Sequence, residues 1–168
     1  PRLRASACDP GSCDTMVTMP TIDLAADIDI SAAPADIAAV MFDPAREPEW
    51  MSTVKTVEIV DPALQPGARV KRTGSVMGRD IAWTSEVEAV HFPHVLSLRI
   101  AGGPFTGLLS YNIQREGGGS RVRIQTRGDV PDLGFLPLSM IEGPMRSALS
   151  ANLARLKTIV EKPAVPRA

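Results

Sequence analysis

The stretch LSMIEGPMRSALSANLARLKTIVE, residues 138–161, decides the fold. Leu138, Ile141, Met145, Leu149, Leu153, Leu156 and Val160 recur at steps of three or four, which places them on one stripe of a helix. Arg146, Ser150, Asn152, Arg155 and Lys157 fall mainly off that stripe and are expected to stay wet. At ~1.5 Å per residue the helix would run roughly 35 Å, the span of a small domain, so something broad must cover its apolar side. Ser139 and Glu142 have the spacing of a capping box. Gly143-Pro144 follows at once, so either the helix proper starts at Pro144 or its first turn bends there. Lys157 and Lys162 suit the negative pole of the helix dipole, and Pro163 and Pro166 forbid continuation.

Upstream, the pattern supplies that cover. Residues 21–31 alternate, with Ile22, Leu24, Ala26, Ile28 and Ile30 on one face and Thr21, Asp23, Asp27 and Asp29 on the other, as in a half-buried antiparallel strand. Pro34 then opens a short helix with Ile37, Val40 and Met41 at helical spacing. Asp43-Pro44 breaks it, and residues 44–51 form a second short helix carrying Glu47, Glu49 and Trp50. From Val54 the period returns to two, giving strands over residues 54–61, 68–77, 81–91, 95–101, 105–115 and 120–130. Turn-forming residues separate them, among them Gln65-Pro66-Gly67, Gly78-Arg79-Asp80 and Gly117-Gly118-Gly119. Short turns force antiparallel neighbours. The expected fold is α+β: seven antiparallel strands curled around one long C-terminal helix, with two short helices between strands 1 and 2.

The chain has 168 residues, enough for one domain with a real core, and a net charge of −1 gives no electrostatic reason to expect nucleic acid. No apolar run approaches the ~20 residues that span a bilayer, so a soluble, cytoplasmic protein without an integral membrane span is expected, monomer or homodimer. Residues 1–20 lack periodicity and are expected to be a disordered tail, with Met16 or Met19 as candidate starts of a shorter product. The domain proper is expected over residues 21–162, with a C-terminal tail at 163–168. Cys8 and Cys13 lie in the first tail with no histidine nearby, a thin basis for a disulfide or metal half-site.

The ordering resembles the START-like superfamily, also called SRPBCC, the helix-grip fold of pollen allergens, lipid-transfer domains and polyketide cyclases. Residues 30–37 (ISAAPADI) are similar to the family's first strand and helix start, and Asp43 followed by Pro48-Glu49-Trp50 to its aspartate and proline-any-tryptophan signature. Pro66-Gly67 resembles the glycine after the second strand, and residues 153–161 the closing helix. The polyketide cyclase/dehydrase-like branch of small bacterial proteins is the nearest in pattern. What the resemblance implies is a cavity between sheet and long helix that binds an apolar molecule.

The residues agree on their own grounds. Gly74, Ser85, Gly107, Thr126 and Gly128 fall on inner faces, where small groups would leave volume unfilled, and Met77, Met140 and Met145 add adaptable side chains. The positions expected to line the cavity are Trp50, Arg72, Val76, Trp83, Ser85, Leu98, Leu109, Tyr111, Thr126, Ile141, Met145 and Leu149. Trp50 either lines the mouth or anchors the second short helix, and Trp83 and Tyr111 either pack the core or orient a ligand. Arg72 shares a face with Val70 and Val76. It either meets a ligand carboxylate or a protein acid such as Glu142, or a register change puts it in water. His91 and His94 flank Phe92-Pro93 in a turn with no third ligand, so no metal is expected. Nor is any cofactor.

Three functions follow. The first is binding, with or without transport, of a small hydrophobic ligand such as a lipid, isoprenoid or polyketide. The second is a cyclase, aromatase or dehydratase, for which Arg72, Tyr111 and Glu142 are the inward acid–base candidates. The third is a protein-interaction or stress-response module.

Overall fold

A computed structural model describes residues 20–76, 78–103, 105–130 and 137–162. The expected tails with Cys8, Cys13, Pro163 and Pro166, together with Met77 and the side chain of Val76, lie outside the described residues. The chain runs β1 (Thr21–Ile30), α1 (Pro34–Met41), a 3-10 turn (Pro44–Arg46), α2 (Glu47–Trp50), β2 (Val54–Ile59), β3 (Arg69–Val76), β4 (Arg79–His91), β5 (Val95–Ala101), β6 (Thr106–Glu116), β7 (Gly119–Asp129) and α3 (Leu138–Val160). One sheet holds all seven strands in the order β1-β7-β6-β5-β4-β3-β2, every neighbouring pair antiparallel. The expected helix-grip architecture is the observed one.

In β1 the pleat turns Ile22, Leu24, Ala26 and Ile30 into the core and Asp23, Asp27 and Asp29 outward. Across β7 these aspartates stand opposite Arg127, Arg123 and Arg121, with ion pairs of 2.6, 3.5 and 3.0 Å. Such exposed pairs add little stability each. They do oppose a one-residue slip, which would turn every apolar side chain of β1 to solvent.

Strand β4 departs from strict alternation. A bulge between Val87 and Ala89 sets Val87 opposite Leu98 but Val90 opposite Leu96. Leu96 and Leu98 both face the core, so Val90 packs inward and Ala89, which strict alternation with Val87 would put inside, pairs with outward Ser97.

Helix α3 starts at Leu138 without the expected capping box. Pro137 occupies the cap position, no side chain caps the helix, and Met140 N donates to Pro137 O at 2.9 Å. Pro144 lies within the helix on its exposed side, where the carbonyl that loses its donor is open to solvent. Of the predicted stripe, Ile141, Leu153 and Leu156 are buried, while Leu138, Met145, Leu149 and Val160 remain half-buried. Asn152, expected to be wet, is buried: its Oδ1 accepts from Ser52 N and Ser52 Oγ, each at 3.1 Å, and ties α3 to the turn after α2.

The core has two parts. The larger includes Ile37, Phe42, Trp50, Tyr111, Ile113, Ile124, Leu153 and Leu156. The smaller, Ile22, Leu24 and Val130, is covered by Phe105, Leu138 and Met145, and Leu149 packs against both. Asn152→Ala leaves the Ser52 N–H without its acceptor, so chemical denaturation should show a loss of about 1–3 kcal/mol, with the far-UV spectrum of the native state retained.

Candidate functional site

The site begins with the pleat of β3, which puts Val70, Arg72 and Gly74 on the concave side. A guanidinium there needs partners, and it has them. Arg72 Nε donates to Glu47 Oε2 at 2.7 Å, and Nη1 donates to Ser85 Oγ and, at 3.4 Å, to Val70 O. Both charged groups are buried, at 4 % side-chain exposure for Arg72 and 5 % for Glu47. This settles the alternatives left by the sequence: Arg72 is inside, and its carboxylate is Glu47, whereas Glu142 stands half-exposed on α3.

Local sequence explains how Glu47 arrives. Asp43 Oδ1 accepts from Ala45 N at 2.9 Å, opening the 3-10 turn, and α2 follows directly. Glu47 and Trp50 are three residues apart and share the inward face, while Glu49 points out and pairs with Arg46 at 2.9 Å. Trp50 is fully buried, 5.9 Å between centroids and nearly edge-on to Tyr111, which in turn stacks on Phe42 at 6.4 Å. Trp50 thus anchors α2 in the core.

Two buried polar atoms in this cluster, Trp50 Nε1 and Tyr111 Oη, have no hydrogen-bond partner among the described residues. Burial first, and the Glu47 carboxylate second, push the Tyr111 phenol far above its ordinary value against the opposing pull of Arg72, so it stays protonated. Burial also raises Glu47 above the usual carboxylate range despite Arg72.

Small inner-face residues do not leave the open volume expected of them. The space a side chain would take at Gly74 holds the Thr53 carbonyl and the Trp83 indole; that at Gly107 and Gly128 holds facing backbone and the Phe105 ring. Ser85 is occupied by Arg72. Leu98, Thr126 and Ile141 are buried, and the apolar surface left partly uncovered belongs to Trp83 and Leu109 on the sheet and Met145 and Leu149 on α3. Trp83, Leu109 and Leu149 pack against the cluster that contains Trp50 and Tyr111, Met145 and Leu149 against the smaller one. A groove of about 260 Å³ lies over Thr56, Lys71 and Thr73 and is also lined by Arg72 and Trp83, and one of about 320 Å³ lies beside Ser31, Ser120 and Lys157. His94 Nδ1 lies 2.9 Å from Ile113 O, a structural contact at the β4–β5 turn.

Sequence reasoning missed Glu47 and Phe42. The signal for Glu47 was its i, i+3 spacing to Trp50 on a helix too short to have an independent solvent face.

Truncating one member of the Arg72–Glu47 pair strands the other charge, so Glu47→Ala or Arg72→Ala should cost about 3–5 kcal/mol. The double change Glu47→Leu with Arg72→Met should cost far less than the two singles together, as a denaturation cycle would measure. Because folding raises the Glu47 value from its ordinary 4.5, the folded chain binds this proton more tightly than the unfolded chain. Its contribution to stability therefore falls as pH rises from 4.5 through the folded value. That slope should vanish in Glu47→Gln.

No described helix is long and apolar enough to cross a membrane. No curated protein matches the chain in sequence. Among solved structures, TTHA0849 from Thermus thermophilus superposes with a TM-score of 0.72 at 19 % identity, over 86 % of this chain and 100 % of that one. SA2116 from Staphylococcus aureus, described as of unknown function, gives 0.67 at 12 % identity over 86 % and 96 %. Major latex-like protein 151 from Panax ginseng gives 0.65 at 11 % identity over 84 % and 98 %. At these identities the likenesses speak for the fold alone. The family model described as polyketide cyclase / dehydrase and lipid transport matches residues 21–161, and the chain belongs to that family, within the START-like superfamily its sequence resembles.

Proposed function

We propose that residues 21–162 bind a small hydrophobic molecule, of the kind represented by a lipid, isoprenoid or polyketide, between the concave face of the sheet and the first half of α3. The observation that carries this reading is the partly uncovered apolar surface of Trp83 and Leu109 on the sheet and Met145 and Leu149 on α3, beside a core that holds buried polar groups. Apolar walls with a few fixed polar atoms are the usual composition of a small-molecule site. The family's description, cyclase or dehydrase and lipid transport, is consistent with such a guest.

A second reading, catalysis on a poly-β-keto chain, draws on the Tyr111 phenol in the cluster that holds the Glu47–Arg72 pair, a group that keeps its proton and could polarise a carbonyl by hydrogen bonding. New aromatic absorbance on incubation with a poly-β-keto mimic, lost in Tyr111→Phe, would establish it. Its absence leaves binding alone.

Thermal denaturation with saturating apolar ligand tests the first reading. A ligand at about 100 times its Kd should stabilise the native chain by ~2.7 kcal/mol. Leu149→Trp, which fills the half-covered surface, should remove most of that gain. Unchanged melting with every apolar ligand tried would overturn the proposal.

A further inference from the structure

We propose that the buried end of this site receives a neutral hydrogen-bond acceptor, a ketone, ester or lactone carbonyl, held by the Tyr111 hydroxyl and the Trp50 indole N–H. The inference rests on the ligand-binding reading above and adds the chemistry of the ligand's polar end.

It follows from an inventory of donors, acceptors and charges. An indole N–H can only donate, and the Tyr111 phenol keeps its proton to donate. Neither atom meets an acceptor among the described residues, although both are sealed from solvent. The two rings pack edge to face, 5.9 Å between centroids at 70°, within one buried cluster. A hydrocarbon end placed there would leave both unsatisfied. A carbonyl oxygen, with two lone pairs, can accept from two donors at once.

Charge then selects against an acid. Arg72 is the natural anchor for a carboxylate, but its Nε is committed to Glu47 Oε2 and its Nη1 to Ser85 and Val70, which leaves Nη2 alone to meet an anion. The charges of the buried pair already sum to zero. A ligand carboxylate would add an uncompensated anion beside the Glu47 carboxylate, away from water, which is the costly arrangement. The apolar part of the ligand would lie along Leu109, Leu149 and Met145, which keeps the polar end inward.

Three ligands with the same chain length separate the possibilities: undecane, 2-undecanone and undecanoate, each titrated calorimetrically at neutral pH. The expected order has the ketone about tenfold or more tighter than the other two, from two hydrogen bonds made in a dry site. Its carbonyl stretch should shift to lower frequency on binding. Tyr111→Phe removes one oxygen from a packed ring and should bring the ketone down toward the alkane's affinity; Trp50→Phe should act in the same direction. Equal binding of ketone and alkane would overturn this inference, assigning the two donors to internal water, and leave the binding reading standing. Tightest binding of undecanoate would overturn it in favour of Arg72 as an anion anchor. Failure of all three to bind would overturn the binding reading itself and this inference with it.

Discussion

The structure depends on the pairing of its first strand with its last. Thr21 and Asp129 lie 108 residues apart, yet they face each other at one end of a register that holds over all ten residues of β1. Because β1 joins β7 rather than its sequence neighbour β2, the chain must travel from one edge of the sheet to the other through α1 and α2. Those two helices therefore cross the open side of the sheet, and α3 completes the cover by packing along β1 and against both of them. The far end of α3 is pinned to the end of β1: Lys157 Nζ donates to Asp29 O at 2.8 Å, and Ser31 N donates to a Glu161 carboxylate oxygen at 2.7 Å. The near end is held by apolar contacts, chiefly those of Ile141, Leu138 and Met145. A rod fixed at one end and held by contacts at the other is the arrangement that leaves facing apolar surface half-covered where α3 begins.

The Arg72–Glu47 pair belongs to the same constraint. It joins the sheet to α2 through side chains alone, and it does so in the core. A buried ion pair is a poor source of net stability, since desolvation offsets most of its attraction. Its contribution here is positional. With Glu47 fixed, Trp50 three residues on is held against Tyr111, and Asn152 of α3 grips Ser52 just beyond. One electrostatic contact thus sets the depth of α2.

Periodicity carried most of the fold. The seven strands, the two short helices and the long one follow from alternation, helical spacing and turn residues, each of which acts over a few neighbours. Three features did not follow, and each depends on something nonlocal. The bulge at Val87 to Ala89 arises because β4 must match β5 at both ends, so Val90 displaces Ala89 from the core. Asn152 looked like surface because its acceptor role is defined only when Ser52 arrives from 100 residues away. Pro144 left two readings, a helix start or a bent first turn, and the helix runs through it from Leu138 because its exposed side tolerates the missing donor. In the site, Arg72 on an inward position was legible and its partner was not, since pairing across 25 residues leaves no local trace. The small inner-face residues misled for a related reason: Gly107 and Gly128 read as space, yet β6 and β7 approach closely there and the Phe105 ring covers them.

Core stability alone does not account for the polar atoms at Trp50 and Tyr111. Phenylalanine at 111 would keep the stack on Phe42 and the edge contact with Trp50 while removing an oxygen that finds no partner among the described residues. Any buried donor left unpaired works against folding, and two in one cluster do so twice. Arg72 and Glu47 solved the same problem by facing each other. The phenol and the indole did not, although Glu47 is near enough for its charge to act on the phenol. Donors kept idle beside a satisfied ion pair are a loss to the folded chain by itself, and it is this loss that the proposed carbonyl ligand would offset.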